Sequence, residues 1–297
     1  MNKNQEKIKR ALESIEEGLA TINTDEGYRH YLEFCSSFYQ YSYNNIILIM
    51  MQFPSASYVA GYTTWRKMNR YVKRNERGIG ILCPIIRKVT NFKEPDDKNV
   101  FNDEEAEKEV KKVLSGFKIG YVFDLSQTEG DDSMLPVLVR GLAGNSEQEK
   151  TTYEALYSYV SCHYSVKEVT GISAKGSFNI ETQEITIRAD LEYRQKIKSL
   201  LHELSHAIDF AMNPDVKFPR NKRELIAESS CFVVCLRMGI DVSEYSFGYI
   251  KSWLREPKEI GEIADAVQKI SCRIINQLAE YSDFASFHLK EDESDEF

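Results

Sequence analysis

Long hydrophobic runs are missing from this sequence of 297 residues. The longest, Ile46 to Met51, is far too short to cross a bilayer, so we expect no contact with a membrane. The first residues contain no apolar segment of the kind found in secretory signals. The six cysteines include no CxxC pair and do not indicate a disulfide framework. These absences favour a cytoplasmic protein whose thiols are reduced.

Proline and glycine are also scarce, at 7 and 15 residues, which excludes collagen-like and Pro/Gly-rich disordered proteins. Hydrophobic residues make up 42% and charged residues 28%, as in ordinary globular proteins. The length is about twice that of a usual single domain, so we expect two domains, both of the α+β class. The stretch from Gly130 to Lys150 is rich in turn-forming and polar residues and predicts the boundary, giving domains 1–135 and 136–297.

Apolar residues recur at helical spacing in several segments. The spacing predicts helices over 5–23, 153–164, 191–212 and 222–238. Another helix is expected to begin at about residue 26, with Asp25 as its N-cap. A further short helix is expected to begin at Thr63 or Thr64 and to end at Gly78.

Strand signals are fewer. The apolar run 79–86 predicts a buried strand that pairs with 121–125, and the alternation on both sides of Glu181–Gln183 predicts a hairpin. The acid-rich segment 91–115 has few large apolar residues and predicts an inserted loop or an exposed helix.

The strongest chemical signal is the HELSH sequence on the helix predicted over 191–212. His202 and His206 are four residues apart and therefore lie on one face of that helix. Two imidazoles in this arrangement can bind one Zn²⁺, and Glu203 beside them can take a proton from water at the ion. The alternative is that all three residues decorate a solvated helix face.

A zinc site needs a third protein ligand. The metzincin pattern would place a histidine where this chain has Met212, so that subclass is excluded. The next helix instead carries Glu224 and Glu228 on one face. We expect Glu224 to bind the metal and Glu228 to orient a ligand histidine, with the reversed roles left open. Asp209, on the same face as His202, is a further candidate orienting carboxylate.

The rest of a hydrolytic site is less defined. In zinc peptidases an edge strand beside the HExxH helix pairs with an extended peptide, and the predicted hairpin can supply such a strand. It can equally be part of an ordinary core. Several side chains could stabilise an oxyanion without any signal that separates them: Tyr193, Tyr245, Tyr249, Tyr281 and His288.

The charge is distributed unevenly. The net charge is −8, yet between Tyr41 and Lys88 eight basic residues face one acid, Glu76, leaving this stretch at +7 and the remainder at −15. Aromatic residues are interleaved with the basic ones, and that combination suits sequence-tolerant binding of single-stranded nucleic acid. No signature of a duplex reader is present, and the alternative is that the aromatic residues are core.

Two regions of the chain resemble one known family. Residues 43–86 and 121–130 resemble the N-terminal single-stranded-DNA-binding domain of ArdC-like antirestriction proteins: an asparagine before an apolar turn (Asn45), an aromatic segment (Trp65), a basic turn (73–78) and a VFD-SQT strand (122–128) come in the family's order. HELSH followed by ELIAE resembles the zinc metallopeptidase-like domain of the same family.

The resemblance implies a protein of a plasmid, conjugative element or phage that binds single-stranded DNA and protects incoming DNA from host restriction. It also implies a C-terminal zincin-like domain that acts on a protein substrate. The candidate DNA-binding residues, from the basic island and the resemblance together, are Asn45, Tyr62, Trp65, Arg66, Lys67, Arg70, Lys73, Arg74 and Arg77. Three alternatives stay open: a binding protein with a silent metal site, a regulatory protease that cuts a DNA-associated repressor, and a plain protease.

Overall fold

The computed structural model of the protein describes residues 3–91, 109–133, 135, 146–213, 218–240, 242 and 257–281. Its first half forms α1 (Lys3–Ile22), α2 (Asp25–Ser37), α3 (Tyr43–Gln52), β1 (Val59–Gly61), α4 (Tyr62–Lys67), β2 (Arg70–Val72), β3 (Ile79–Asn91), β4 (Glu109–Asp124), a 3₁₀ turn (Leu125–Gln127) and β5 (Thr128–Gly130). The second half forms α5 (Ser146–Ser161), β6 (Ser165–Val169), β7 (Gly176–Asn179), β8 (Glu184–Arg188), α6 (Tyr193–Met212), α7 (Arg220–Arg237) and α8 (Pro257–Ala279). This mixture of helices and sheets confirms the α+β class.

The sheet of the first half has the strand order β1-β4-β3, with every neighbouring pair antiparallel. Ile79 pairs with Val122, which confirms the pairing predicted between 79–86 and 121–125. One sequence prediction is wrong here: residues 109–115 are neither loop nor helix, because they extend β4 and pair with the outer end of β3. Residues 92–108, the centre of that predicted insertion, lie outside the described residues.

Helix α3 covers the free edge of β3 with two amide side chains. Asn45 donates to the carbonyl oxygen of Leu82 (3.0 Å) and accepts from its N–H (2.9 Å). Two helical turns further on, Gln52 makes the same pair of bonds with the carbonyl (2.8 Å) and N–H (2.9 Å) of Gly80. The two amides thus take the place of a neighbouring strand and satisfy an edge that would otherwise be open to aggregation.

We expect Asn45→Ala to lower the free energy of unfolding by about 2 kcal/mol, because it leaves two backbone groups of Leu82 without partners in a mostly buried place. Gln52→Ala should cost about half as much, since Gln52 is exposed and water can replace it. Urea unfolding of both variants measures the difference. Equal costs for the two substitutions would contradict the argument.

The segment after α4 differs from the predicted helix that runs to Gly78. Helix α4 ends at Lys67, and Asn69 takes a left-handed conformation with φ of 54°. The chain then turns into β2, which pairs antiparallel with β5 through Tyr71 and Glu129. The predicted helix is wrong beyond Lys67, because the left-handed turn at Asn69 ends it. At α2 the N-cap is Thr24, whose hydroxyl accepts from the Gly27 N–H, and not Asp25 as expected.

The second half builds a three-stranded sheet against α6. The strand order is β6-β8-β7, with β6 and β8 parallel and β7 and β8 antiparallel, which confirms the predicted hairpin. Strand β8 is therefore central, and β7 is the edge strand on the side of the hairpin. Helix α7 packs against α6 and α8, so that the predicted helices over 191–212 and 222–238 are present with shifted ends.

Helices from the two halves pack together in one buried cluster. The hydroxyl groups of Tyr28 and Ser229 lie 2.7 Å apart, and the Tyr31 hydroxyl donates to the carbonyl oxygen of Ala264. The division into domains 1–135 and 136–297 stays a prediction. No helix among the described residues is long and apolar enough to cross a membrane.

Candidate metal centre

Helix α6 presents both histidines of the HELSH sequence to a cleft. Its apolar face, which includes Leu200, Leu201 and Leu204, is buried, and its opposite face carries His202 and His206. Because the two histidines are one turn apart, their rings stack edge to face with centroids 4.8 Å apart. About a fifth of each side chain is exposed, so both imidazoles are accessible from the cleft.

Helix α7 brings a carboxylate to the same point. Oε2 of Glu224 lies 3.5 Å from Nε2 of His202 and 3.6 Å from Nε2 of His206. One ligand atom from each of the three residues fits within 4.8 Å. Two imidazole nitrogens and one carboxylate oxygen, with an open side toward a cleft, are a donor set that suits a catalytic divalent transition metal.

Glu228 lies on the far side of His202. Its Oε2 atom is 3.0 Å from Nδ1 of His202, the ring nitrogen that faces away from Glu224. Burial alone would lower the pKa of His202, but the hydrogen bonds to Glu224 and Glu228 raise it to about 10. Contact with the two histidines holds the pKa of Glu224 well below its usual range. The structure thus gives Glu224 and Glu228 different positions: the first faces both histidines and the second orients one of them.

Glu203 is mostly buried beside the cleft, and burial raises the pKa of its carboxyl group. Edge strand β7 lies against it. A Cβ atom at Gly176 would stand 3.0 Å from both Cγ and Oε1 of Glu203, and the backbone of Phe178 hydrogen-bonds to the Glu203 carboxylate. This close approach at Gly176 carried no signal in the sequence, because it arises from the packing of a strand against a helix.

Other sequence candidates in this half are placed away from the three converging groups. Asp209 lines the cleft, but its carboxylate accepts a hydrogen bond from Asn213, 3.1 Å away. Tyr193 packs against the ring of Tyr153, and Tyr281 packs against that of Tyr159; neither lines the cleft. The remaining oxyanion candidates, Tyr245, Tyr249 and His288, lie outside the described residues.

The cleft has a volume of about 1020 Å³ and runs between α6, α7 and β7. Several of its wall residues carried no signal in the sequence, among them Lys175, Lys198, Phe210 and Phe218. Lys198 and Phe210 lie on α6, whereas Lys175 precedes β7 and Phe218 precedes α7, so no single spacing along the chain could have grouped all four. The cleft is long enough for several residues of an extended polypeptide.

In the first half, the structure separates the candidate DNA-binding residues into two groups. The exposed ones are Tyr62, Arg66, Lys67, Lys73, Arg74 and Arg77. Tyr71, on β2, is exposed beside them, with 53% of its surface open. These seven residues are called the basic surface below. Asn45, Trp65 and Arg70 are buried, and their contact with DNA stays a prediction.

Each buried residue has a partner within the protein. Trp65 is fully buried, and its indole N–H donates to the carbonyl oxygen of Phe123 (2.9 Å), so its ring has no free face for a base. The guanidinium of Arg70 donates to Thr128, to the backbone beyond it, and to Asp132. Asn45 covers the edge of β3, as described above. An aromatic and basic pattern cannot reveal which of its members a fold turns inward.

The VFDLSQT segment (122–128) also has a local structural role. The buried carboxylate of Asp124 accepts from the backbone N–H groups of Ser57 (2.7 Å), Tyr58 (3.1 Å) and Ser126 (2.9 Å). The side chain of Gln127 accepts from the Asp124 N–H, which completes a capping box. The same side chain donates to the carbonyl oxygen of Arg77. The segment therefore fixes the turn that holds the basic surface in place.

The first half of the chain is similar to a known family of domains. The fold is α+β, with a candidate metal centre in its second half. Residues 2–123 match the sequence model of the N-terminal domain of anti-restriction factor ArdC. This match assigns an ArdC-like N-terminal domain to residues 2–123 and does not extend to the second half of the chain.

Three further similarities were found. The chain is 24% identical over 304 residues to the uncharacterized protein pXO2-81 of Bacillus anthracis; the match covers 90% of the chain, which spans about half (51%) of that relative. Crystal structures of the antirestriction ArdC protein from plasmid R388, one metal-free and one bound to Mn(II), are each 18% identical to it. They have TM-scores of 0.47 and 0.48 and cover 82% of this chain and 86% of theirs.

Proposed function

We propose that this chain is a mobile-element antirestriction protein that combines a single-stranded-DNA-binding first half with a zinc-dependent, zincin-like peptidase site in the second. The observation that carries the peptidase assignment is the convergence of His202, His206 and Glu224 in a cleft, with Glu203 beside them. The family membership of residues 2–123 supports the antirestriction role. Such a protein acts in the cytoplasm of the recipient cell, where incoming DNA meets restriction enzymes.

The donor set fits Zn²⁺, with His202, His206 and Glu224 as ligands and Glu228 orienting His202. A bound Zn²⁺ ion supplies Lewis acidity toward a peptide carbonyl and makes a nearby water a stronger acid. Glu203 receives the proton of the attacking water at its carboxylate and then transfers it to the leaving amine nitrogen. The raised pKa of the Glu203 carboxyl group, due to its burial, suits both transfers.

The test is hydrolysis of a denatured protein such as casein by the full chain loaded with Zn²⁺ or Mn²⁺. We expect new peptide termini in mass spectra, loss of cleavage with a chelator, and recovery when the ion is restored. Absence of cleavage with a fully loaded protein, over a range of unfolded substrates, would contradict the peptidase assignment.

The first half binds single-stranded DNA through the basic surface. Tyr62 and Tyr71 are exposed and can stack on bases, and the neighbouring arginine and lysine side chains can neutralise phosphates. This composition favours binding with little sequence preference and a strong dependence on salt.

Replacing Tyr71 by Ala should weaken binding to a labelled single-stranded oligonucleotide about tenfold, since one stacked base is worth about 1–3 kcal/mol. Replacing Arg74 by Gln should also reduce the slope of log K against log salt by about 0.7, the loss of one phosphate contact. Lys9→Gln on α1 is the matched control, because Lys9 is exposed but far from this surface in the sequence. Fluorescence anisotropy at several salt concentrations measures the DNA affinity of all three variants. Equal effects of Arg74→Gln and Lys9→Gln would contradict the assignment of DNA binding to the basic surface.

A further inference from the structure

We infer that single-stranded DNA runs from the basic surface onto one face of the paired strands β3 and β4, where exposed aromatic and aliphatic side chains contact its bases. This inference rests on the proposed DNA binding of the first half, because it extends the path of the same ligand. It is carried by the register of the two strands, by the exposure of the side chains on one face, and by the charge around them.

The register of β3 and β4 defines the two faces. Residues that pair directly across antiparallel strands project to the same face, and alternate pairs share it. The extra residue of the bulge, Ser115, belongs to β4, so the alternation of β3 continues through it. The pairs of one face, called the outer face below, are Gly80–Tyr121, Leu82–Ile119, Pro84–Phe117, Ile86–Leu114 and Lys88–Lys112.

The outer face exposes large apolar side chains to solvent. On the opposite face Ile79, Ile81, Cys83 and Val122 are buried in the core. The exposed members of the outer face, between 43% and 57% open, are Ile86, Leu114, Phe117 and Tyr121. A contiguous apolar patch of this kind is typical of an interaction site.

The two aromatic rings lie opposite residues that cannot cover them. Tyr121 pairs with Gly80, and Phe117 pairs with Pro84, whose side chain is short. A Cβ atom at Gly78 would stand only 3.2 Å from Cδ1 of the Tyr121 ring, so a side chain there would crowd the ring. The rings therefore stay accessible to a flat partner, as stacking on bases requires.

The charge around the outer face is positive. Residues 80–88 and 112–121 include four lysine or arginine side chains and no acid. Lys88 and Lys112 lie at one end of the face and are exposed. At the other end Nζ of Lys7, on α1, donates to the Tyr121 hydroxyl (2.9 Å) and lies 5.2 Å from the centre of its ring. Rings between positive charges suit a polyanion that carries flat apolar groups, which is the chemistry of single-stranded DNA.

The outer face continues the basic surface. Arg77 belongs to the basic surface and directly precedes Gly78, where a Cβ atom would stand 2.9 Å from Cβ of Tyr121. A strand that leaves Arg77 therefore reaches Tyr121 next. From Gly80 to Lys88 the face is about 26 Å long at about 3.3 Å per residue, which is enough for several nucleotides.

The test compares residues of the outer face with exposed neighbours on the opposite face of the same strands. Phe117→Ala is matched by Val113→Ala, and Lys88→Gln by Arg87→Gln, because Val113 and Arg87 pair with each other on the opposite face. Anisotropy of the full chain with a labelled oligothymidylate of about 20 nucleotides measures the affinity at several salt concentrations. Thermal unfolding checks that each variant is folded.

We expect Phe117→Ala to weaken binding about tenfold and Val113→Ala to leave it unchanged, because only Phe117 can stack on a base from the outer face. Lys88→Gln should reduce the slope of log K against log salt by about 0.7, and Arg87→Gln should not change it. The charge pair tests the inference even if Phe117→Ala fails to fold. Photocrosslinking to an oligonucleotide that contains 5-iododeoxyuridine should label Tyr121 or Phe117.

The outcomes separate this inference from the proposed function. If Tyr71→Ala and Arg74→Gln weaken binding while both outer-face variants match their controls, this inference is overturned and DNA binding by the basic surface stands. If the unsubstituted chain does not bind DNA, both are overturned. If sedimentation shows a dimer that Phe117→Ala converts to a monomer without changing the DNA affinity, the outer face joins two copies of the chain and this inference is overturned.

Discussion

Glu224→Gln will weaken binding of Zn²⁺ at least a hundredfold, whereas Glu228→Gln will weaken it by about ten- to a hundredfold. The difference follows from position: Glu224 faces Nε2 of both histidines, and Glu228 reaches only Nδ1 of His202. Loss of a ligand removes a bond to the ion, while loss of an orienting carboxylate leaves three ligands and lets one ring turn. Competition with a chromogenic chelator measures both affinities.

Glu154→Gln is the matched control for this pair. Glu154 is an exposed carboxylate on α5 and does not line the cleft, so its loss should leave the affinity for Zn²⁺ unchanged. Thermal unfolding with and without the ion adds a second readout, because an ion that binds only the folded chain raises its stability. If Glu228→Gln loses the ion and Glu224→Gln keeps it, the roles of the two carboxylates are reversed.

Glu203→Gln is expected to lower the rate of peptide hydrolysis by 10²- to 10⁴-fold, the usual contribution of a general acid–base group. The amide is nearly the same size as the carboxylate, so the packing against Gly176 is kept. It cannot accept the proton of the attacking water. Because Glu203 is not one of the three converging ligands, the variant should bind Zn²⁺ with unchanged affinity.

Gly176→Ala tests whether the position of the Glu203 carboxylate matters for hydrolysis. Its new Cβ would stand 3.0 Å from Glu203, so the carboxylate must shift, and hydrolysis should fall about tenfold while the ion stays bound. A Glu203→Gln protein that cleaves at the full rate would remove Glu203 from the mechanism. Equal losses of hydrolysis and of Zn²⁺ in that variant would mean that Glu203 supports the metal site instead.

Most residues of the candidate metal centre could be predicted from the sequence, because they lie on two helices. Residues four apart on a helix share a face whatever the rest of the fold does, so His202 and His206 had to lie together. The same rule paired Glu224 with Glu228. Which of the two faces both histidines depends on how α7 packs against α6, and no spacing along the chain contains that information.

The first half shows the opposite case. Three of the candidate DNA-binding residues, Asn45, Trp65 and Arg70, are buried and make hydrogen bonds within the protein. A residue that carries a family resemblance can therefore have a structural role in the fold. Residues that fix a sheet edge or a turn leave as clear a pattern as residues that bind a ligand, since both depend on specific hydrogen bonds.

By itself, the sequence determined the α+β class, the main helices, the β3–β4 and β7–β8 pairings, and the face of α6 that carries the histidines. These depend on local periodicity, which a single chain records directly. The tertiary structure alone decided that β7 and not β8 is the edge strand of the hairpin, that a side chain at position 176 would crowd Glu203, and that Lys175 and Phe210 line one cleft. These features join residues that are distant in the chain, and only packing brings such residues together.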